Sequence, residues 1–360
     1  MIEQRPHIQV IPGYKPGKST VDGWDGPVHK LSSNENPYLP LPSVIEAMAE
    51  AVGNMHRYPN MDAPELTRLL AQRYGVTDGE VAFGCGSVEV AAQLIRAFAG
   101  AGDEVIYAWR SFEAYPILTR SAGATPREIP LTPDLHHDLP AMLAAITDKT
   151  RVIFVCTPNN PTGTVVGHEE LRAFLAKVPS RILVVVDEAY VHFQDDPNAA
   201  RGIDLYREFE NVAVLHTFSK AYGLAGLRLG YAIARPDVQD GLRKVAMPFA
   251  VTDIAQAAGV ASLAAEDELR ERIDVLIAER ARVTAELQRM GWPINPSQAN
   301  FVWLQLDERT DEVQAYLNSH GVIARPFTGE GIRITIGSRE ANDALLAVLA
   351  QIPSSVGEAE

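Results

Sequence analysis

The first segment able to do covalent chemistry is a lysine at the end of a predicted strand. The run at 212–217 is followed by FSKAYGLAGLRLGY (218–231), which places Lys220 among small residues and ahead of three glycines. A lysine amine forms an imine with an aldehyde once it is deprotonated, and a confined site lowers its pKa enough for this. Ser219 and Arg228 add a hydroxyl and a bidentate guanidinium that could bind a phosphate. A turn with a structural lysine is the alternative interpretation.

An acid follows another predicted strand, the apolar run LVVV at 183–186. Asp187 comes directly after it and Tyr190 three residues later. A carboxylate beside a pyridine nitrogen favours the protonated ring, and a tyrosine can donate a hydrogen bond to a phenolic oxygen. An acid after a strand is also typical of Mg²⁺ sites. The sequence has no GxxxxGK[ST] phosphate loop, which counts against a nucleotide site.

Two loops offer further polar groups. The segment CTPNNPTG (156–163) holds Asn160 between two prolines that fix the backbone, so its amide is rigidly presented. The segment GCGSV (84–88) opens a helix, where the backbone N–H groups of Gly86, Ser87 and Val88 could approach a phosphate at the positive end of the helix dipole. Either loop alone also fits an ordinary turn.

An aromatic side chain and two arginines complete the candidates. Phe112 follows the predicted strand 104–108 and could stack on a flat ring, although such residues are more often core. Arg325 and Arg333 flank the last strands, and alternation in GIRITIG (331–337) could turn Arg333 inward as a fork for a carboxylate. An arginine in a strand is more often at the surface.

The elements that must position these side chains follow an α/β rhythm. Short apolar runs at 81–84, 104–108, 152–156, 182–186 and 212–217 alternate with helix-length segments. This pattern predicts a mostly parallel sheet flanked by helices, whose ligands lie at the carboxyl ends of the strands. From about residue 252 a long helical segment precedes short strands, which indicates a smaller α+β domain. We expect an N-terminal arm (1–40) that joins the small domain, a large domain (41–255) and a small C-terminal domain (256–360).

Composition narrows the class of protein. The chain has 360 residues, enough for two domains, and its net charge of −14 disfavours non-specific binding to nucleic acid or anionic membranes. The two cysteines have no metal-type or redox-type spacing and no HExxH pattern occurs, so no metal is expected. No apolar stretch has the length of a signal peptide core or of a membrane span. A cytoplasmic location is therefore the expectation.

The motifs in combination resemble a known family. NENP (34–37), RYP (57–59), PNNPTG (158–163), DEAY (187–190), FSKAYGLAGLRLGY (218–231), SQANFVW (297–303) and IRITIG (332–337) occur in the order seen in fold-type I pyridoxal-5′-phosphate (PLP) aminotransferases. The branch that this chain resembles contains the histidinol-phosphate and aromatic amino acid aminotransferases. GCGSV (84–88), WRSFEAYP (109–116) and RPFTGEGIRITIG (325–337) look like the actinobacterial aromatic (phenylalanine) enzymes.

The resemblance implies a role for each matching residue. Lys220 matches the Schiff-base lysine that also shuttles the substrate proton, and Asp187 matches the partner of the pyridine nitrogen. The residues that match other cofactor contacts are Tyr190 and Asn160 at the phenolic oxygen, Phe112 against the ring, and Gly86, Ser87, Val88, Ser219 and Arg228 at the phosphate. Tyr58 matches a phosphate ligand donated by a second subunit, which implies a homodimer. The matches near the substrate are Arg333 at the carboxylate, with Arg325, Asn34, Tyr14 and Asn160.

The implied activity is transfer of the amino group of phenylalanine, tyrosine or tryptophan to 2-oxoglutarate, which gives the aromatic 2-oxo acid and glutamate. The alternative is the histidinol-phosphate aminotransferase of histidine biosynthesis. A decarboxylase or lyase on the same scaffold and a PLP-binding sensor without turnover are the rival classes. For this chain we expect small-molecule amino acid and 2-oxo acid substrates as partners, and neither nucleic acid nor membrane.

Overall fold

A seven-stranded sheet with helices on both faces forms the centre of the computed structural model, which describes residues 2–14, 17, 20–21 and 23–354. Within these ranges the strands are β1 (His29–Lys30), β2 (Val81–Cys85), β3 (Glu104–Trp109), β4 (Thr125–Pro130), β5 (Thr150–Cys156), β6 (Leu183–Asp187), β7 (Val212–Thr217), β8 (Leu229–Ile233), β9 (Phe301–Gln305), β10 (Val322–Ile323), β11 (Arg325–Phe327) and β12 (Gly331–Thr335).

The α-helices of the same ranges are α1 (Pro6–Gln9), α2 (Pro42–Val52), α3 (Pro64–Tyr74), α4 (Ser87–Phe98), α5 (Ala114–Ser121), α6 (Leu139–Ala144), α7 (His168–Leu175), α8 (Gly202–Glu208), α9 (Pro236–Val245), α10 (Asp253–Ala264), α11 (Glu266–Arg289), α12 (Thr310–Ser319) and α13 (Arg339–Leu349). No helix in the described part of the chain is both long and apolar enough to cross a membrane.

The central sheet has the strand order β2-β8-β7-β6-β5-β3-β4. All neighbouring pairs from β7 to β4 are parallel, and β8 is antiparallel to both of its neighbours. Successive residues of β6 bury their side chains in two different apolar clusters, with Val184 and Val186 in one and Val185 in the other. A strand covered on both faces has to be apolar at every position, which is why LVVV was recognisable. The prediction of a mostly parallel α/β sheet is confirmed.

A second group of elements is built from the C-terminal third. Strands β9, β12 and β11 form an antiparallel sheet in the order β11-β12-β9. The 24-residue helix α11 begins with three acidic residues and ends with Arg289. Negative charge therefore lies at the positive end of the helix dipole and positive charge at its negative end, which stabilises the helix. The N-terminal segment joins this group because β1 pairs in parallel with β10, His29 opposite Val322 and Lys30 opposite Ile323.

Two strands of the central sheet carry little sequence signal. β4 is an edge strand with prolines at both 126 and 130, and most of its residues are partly or fully exposed. Proline is tolerated in a strand only at an edge or an end, and this composition hides the strand from a search for apolar runs. β8 is buried at every position but contains Gly230 and lies inside the glycine-rich segment after Lys220, so it does not stand out as a continuous apolar run.

Candidate active site

The predicted polar residues meet at the carboxyl edge of the central sheet. A cavity of about 190 Å³ there is lined by groups from the ends of β5, β6 and β7, from the start of α4 and from the loops that follow. Its lining residues are Tyr14, Ser87, Val88, Phe112, Cys156, Asn160, Asp187, Ala189, Tyr190, Thr217, Ser219, Lys220, Ala225 and Arg228. A second cavity of about 260 Å³ adjoins it and shares Tyr14, Phe112, Asn160, Tyr190 and Lys220.

Lys220 presents its amine to both cavities. The Lys220 Nζ donates a hydrogen bond to the backbone oxygen of Ser33, 3.2 Å away. Burial lowers the pKa of this amine to about 7, and the positive charge of Arg333 acts in the same direction. An amine with this pKa is substantially unprotonated at neutral pH, so it can act as a nucleophile or as a base.

Asp187 ends strand β6 and is buried beneath the cavity. Its Oδ2 accepts a hydrogen bond of 2.6 Å from the hydroxyl of Tyr115, and its Oδ1 accepts one of 3.2 Å from the backbone N–H of Ala189. Burial raises the pKa of Asp187 to about 6, while the Tyr115 hydrogen bond opposes that rise. The acid is therefore ionised at neutral pH and would be stabilised further by a cation inside the cavity.

Tyr115 was not among the sequence-predicted residues. Burial raises the pKa of its phenol well above the usual range, so the hydroxyl stays protonated and acts as the donor. Its ring stacks on Phe154 with 4.6 Å between centroids and meets Phe112 edge to face at 5.6 Å. One side chain thus supports both the acid and the aromatic residue of the cavity. The sequence offered no more than its position three residues after Phe112 as a signal for this role.

Tyr190 is held by the N-terminal segment. Its hydroxyl accepts a hydrogen bond of 3.0 Å from the Nδ2 of Asn34, and its ring lies 5.8 Å from the Lys220 Nζ. Asn34 has a left-handed backbone (φ 52°), which asparagine adopts more readily than most residues. Its backbone N–H donates to the Thr335 hydroxyl at 2.8 Å, which fixes the segment against β12.

Arg333 and Asn160 form a buried polar pair. The Nη1 of Arg333 donates to the Oδ1 of Asn160 at 2.6 Å, and its Nη2 donates to the backbone oxygen of Ser32 at 2.7 Å. Because a guanidinium only donates, it fixes which end of the Asn160 amide is oxygen and leaves the NH₂ end on the other side. The Nε of Arg333 is buried without a protein partner, and burial lowers the pKa of the guanidinium. Such a donor suits an anion in the adjoining cavity.

The loop at the start of α4 and the turn after Lys220 enclose one end of the first cavity. Arg228 donates to the Ser219 hydroxyl at 3.4 Å and to the backbone oxygen of Cys85 at 3.4 Å. A Cβ at Gly86 would lie 2.4 Å from an Nη of Arg228, so only glycine permits this approach. Ser87 and Val88 are the first residues of the 12-residue helix α4, and their N–H groups carry its positive end. The chemistry of this corner suits a phosphate.

The remaining predicted residues differ in position. Phe112 lines both cavities, and Tyr14 does so as well although it is 56% exposed. Arg325 lines the second cavity and donates to the Oε2 of Glu113 at 2.9 Å. Tyr58 lies apart from the site of its own chain, is 80% exposed and stacks on Phe249.

Taken together, the residues fit the cofactor that the sequence resemblance implies. The first cavity offers an amine of lowered pKa, a buried acid at its base, an aromatic wall and a cationic corner at the end of a helix. Each matches one part of pyridoxal phosphate: the aldehyde, the ring nitrogen, the ring face and the phosphate. Apart from Tyr58 and Gly86, of which Gly86 lies against Arg228, the sequence-predicted residues line one or both of the two adjoining cavities, which sequence reasoning alone could not establish. No cluster of potential metal ligands occurs among the described residues.

Comparisons with known proteins agree with this geometry. The "Aromatic amino acid aminotransferase" of Streptomyces avermitilis is 57% identical over 345 residues, which cover 96% of each chain. The protein of that name from Cutibacterium acnes is 55% identical, with 97% of this chain and 98% of the relative covered. Among solved structures, histidinol-phosphate aminotransferase from Sinorhizobium meliloti in complex with pyridoxal-5′-phosphate has a TM-score of 0.88 and 27% identity, covering 98% of this chain and 97% of that one. The family model "Aminotransferase class I and II" matches residues 27–349, and the chain therefore belongs to the class I and II aminotransferases.

Proposed function

We propose that this aminotransferase transfers the amino group of aromatic amino acids to 2-oxoglutarate with pyridoxal phosphate as its cofactor. The observation that carries the proposal is the enclosed amine of Lys220, which faces both the cavity above Asp187 and the adjoining cavity that contains Arg333. Relatives more than 50% identical over nearly the whole chain bear the name aromatic amino acid aminotransferase, which supports the choice of substrate.

Pyridoxal phosphate, when bound, supplies an aldehyde for amines and a ring that accepts electron density from the substrate α-carbon. Asp187 keeps the ring nitrogen protonated, because opposite charges stabilise each other's ionised forms. Tyr190 and the NH₂ end of Asn160 would donate hydrogen bonds to the phenolic oxygen of the cofactor. Phe112 restricts the ring from one face.

Lys220 has two tasks at one atom. Its Nζ would hold the cofactor, and once freed by an incoming amino acid the same Nζ would take the proton from the substrate α-carbon. A pKa of about 7 suits both tasks, because a base works best when its pKa lies near the working pH. In the half-reaction with 2-oxoglutarate, the same nitrogen would deliver a proton to the α-carbon.

The phosphate is held by Ser219, Arg228 and the N–H groups at the start of α4, with Gly86 giving the guanidinium its approach. This anchoring keeps the reacting atoms in register with Lys220 through both halves of the reaction. Arg333 binds the α-carboxylate that amino and 2-oxo acids share, and Asn34, Tyr14 and Arg325 line the space around it.

We also propose a cytoplasmic homodimer in which Tyr58 contributes to the phosphate site of the partner. Met61, Met247 and Phe249 are exposed around one surface cavity of about 320 Å³, and Tyr58 stacks on Phe249 at 4.6 Å. A contiguous apolar surface of this kind is typical of protein interfaces. Both cysteines are unpaired, as is usual in a reducing compartment. The division into an arm (1–40), a large domain (41–255) and a small domain (256–360) remains part of this proposal.

A hybrid dimer tests the role of Tyr58. Lys220→Ala removes the reacting amine, and Tyr58→Phe weakens phosphate binding. If Tyr58 acts across the interface, a mixed dimer of these two variants has one intact site and regains about half of the wild-type activity per mixed dimer. Persistence of the Tyr58→Phe defect in the mixed dimer places the tyrosine in its own chain's site. Analytical ultracentrifugation gives the oligomeric state.

The substrate assignment is tested with a panel of amino donors and 2-oxoglutarate as acceptor. Purified protein loaded with the cofactor should show its visible absorbance and form glutamate from phenylalanine, tyrosine and tryptophan. Lys220→Ala should lose both the lysine-dependent absorbance and nearly all turnover. Faster turnover with histidinol phosphate than with phenylalanine would select the alternative substrate, and release of CO₂ without an acceptor would indicate a decarboxylase.

A further inference from the structure

Three residues lie between the second cavity, called the substrate cavity from here on, and a wider outer cavity. The substrate cavity of about 260 Å³ is lined by Lys220 and Arg333, among others. The outer cavity of about 700 Å³ opens between the segment after β3 and the β11 region. Tyr14, Glu113 and Arg325 line both. The side chain of a substrate whose carboxylate lies on Arg333 and whose amino group lies on Lys220 therefore extends within reach of these three residues.

Arg325 and Arg333 are directly opposite each other across the antiparallel strands β11 and β12. Side chains of directly opposed residues point to the same face of a sheet, with their Cα atoms only about 5 Å apart. Two guanidiniums in this arrangement repel each other. Burial lowers the pKa of Arg333 most, the charge of Arg325 lowers it further, and Glu113 acts in the opposite direction.

Glu113 compensates this excess of positive charge from the other side of the cavity. It precedes helix α5 on the central-sheet side, and its Oε2 accepts the Arg325 Nη2 hydrogen bond of 2.9 Å. The Arg325 side chain is 13% exposed and that of Glu113 30%. The wall of the cavity is consequently a neutral ion pair, and a substrate carboxylate that binds Arg325 has to compete with Glu113 for its guanidinium.

We propose that Glu113 is a specificity-determining residue. It neutralises Arg325 while an aromatic side chain occupies the cavity, and it is displaced from Arg325 when the distal carboxylate of a dicarboxylic substrate binds there. This inference rests on the proposed function, because only an enzyme that alternates between aromatic and dicarboxylic substrates has to meet both demands at one site. Arg333 binds the carboxylate common to both classes. Arg325 is within reach of the substrate side chain, the part by which aromatic and dicarboxylic substrates differ.

The two classes should respond differently to loss of the Glu113 charge. A distal carboxylate must displace Glu113 from Arg325 and remain close to a like charge, so Glu113 weakens binding of 2-oxoglutarate. An uncharged ring neither competes for Arg325 nor is repelled by Glu113. Glu113→Gln should therefore raise kcat/KM for 2-oxoglutarate relative to phenylpyruvate by roughly ten-fold, the usual scale for one partly exposed charge pair.

A reciprocal ion pair provides a matched control. Arg110 donates to Glu330 through its Nε at 2.9 Å, and this pair connects the same two regions with the charges exchanged. Arg110 lines the outer cavity only. Glu330→Gln removes a carboxylate from an arginine in the same way but outside the substrate cavity, so it should leave the ratio of the two kcat/KM values unchanged.

The experiment measures kcat/KM for 2-oxoglutarate and for phenylpyruvate with the cofactor-loaded wild type, Glu113→Gln, Glu330→Gln and Arg325→Gln. A roughly ten-fold rise of the ratio in Glu113→Gln alone, with a fall in Arg325→Gln, supports the proposal. An unchanged ratio in Glu113→Gln, or an equal rise in Glu330→Gln, overturns it. If Glu113→Gln does not fold, Arg325→Gln decides, because equal losses for both acids contradict the proposal. Wild-type protein that aminates neither acid refutes the proposed function instead.

Discussion

Replacing Tyr115 by phenylalanine should make cofactor binding depend more steeply on pH. The substitution keeps the ring that stacks on Phe154 but removes the hydroxyl that donates to Asp187 at 2.6 Å. Without that donor the ionised form of Asp187 loses stabilisation, so its pKa rises above the present value of about 6. A protonated Asp187 cannot pair with a protonated ring nitrogen, and the affinity for the cofactor falls accordingly.

The magnitude follows from the strength of the hydrogen bond. A hydrogen bond to a charged group contributes about 1.5–3 kcal/mol, and one pKa unit corresponds to about 1.4 kcal/mol. The pKa of Asp187 should rise by about one to two units in Tyr115→Phe. The ratio of variant to wild-type Kd for pyridoxal phosphate is then close to one near pH 9, where both carboxylates are ionised. It grows to roughly ten-fold or more below pH 6, where forming the carboxylate has to be driven by binding.

The assay titrates the apoenzyme with pyridoxal phosphate at a series of pH values. Titration of the cofactor phosphate and of Lys220 is common to both proteins and cancels in the ratio of the two Kd values. Tyr107→Phe is the matched control, because Tyr107 is equally buried and its hydroxyl donates to Glu128 instead of Asp187. Its ratio should stay near one at every pH. A flat ratio for Tyr115→Phe, or the same curve for Tyr107→Phe, would refute the reasoning.

Three further outcomes follow from the same site. Since burial lowers the pKa of Lys220 to about 7, acetylation of Lys220 in the apoenzyme should increase through that pH, with the exposed Lys149 as reference in the same mass spectra. Reactivity that begins only several pH units higher would contradict an enclosed neutral amine. Arg333→Ala should lower kcat/KM for amino acids by an amount that corresponds to about 2–4 kcal/mol of lost transition-state binding. Unchanged kinetics would mean that the substrate carboxylate binds elsewhere. Gly230→Ala should weaken cofactor binding, since its Cβ would lie 2.2 Å from a backbone nitrogen at the start of α4, whereas Gly226→Ala has open space and should bind like wild type in an equilibrium titration.

The sequence predicts best those parts of the fold in which burial constrains every residue. The strands β5, β6 and β7 are buried on both faces and therefore appear as continuous apolar runs. The edge strand β4 has one exposed side and two prolines, and no local pattern distinguishes it from a loop. Which strands neighbour each other was also beyond local reasoning, because the order of the sheet depends on contacts far apart in the chain.

The same distinction applies to the site. Asp187 ends β6, and Lys220 and Asn160 lie in the loops after β7 and β5, so the edge rule for parallel sheets is sufficient to bring them together. Tyr115 acts through a hydrogen bond over 72 residues of sequence, and Glu113 through an ion pair over 212. Tyr115 and Glu113 both lie at the start of α5, where an acidic or aromatic residue is common and does not by itself indicate a role in a site. Pairings of this length become visible only when the folded chain is available.

Residues 31–34, which precede the central sheet in the chain, contact three different side chains of the candidate active site. The backbone oxygens of Ser32 and Ser33 accept from Arg333 and Lys220, and the amide of Asn34 donates to Tyr190. A protease that cuts upstream of His29 would spare these contacts. A cut just after Asn34 would break the covalent link between this segment and the chain that leads into the seven-stranded sheet, so the contacts with Arg333, Lys220 and Tyr190 would then depend on the non-covalent anchoring of residues 29–34, which includes the β1–β10 pairing and the Asn34–Thr335 hydrogen bond.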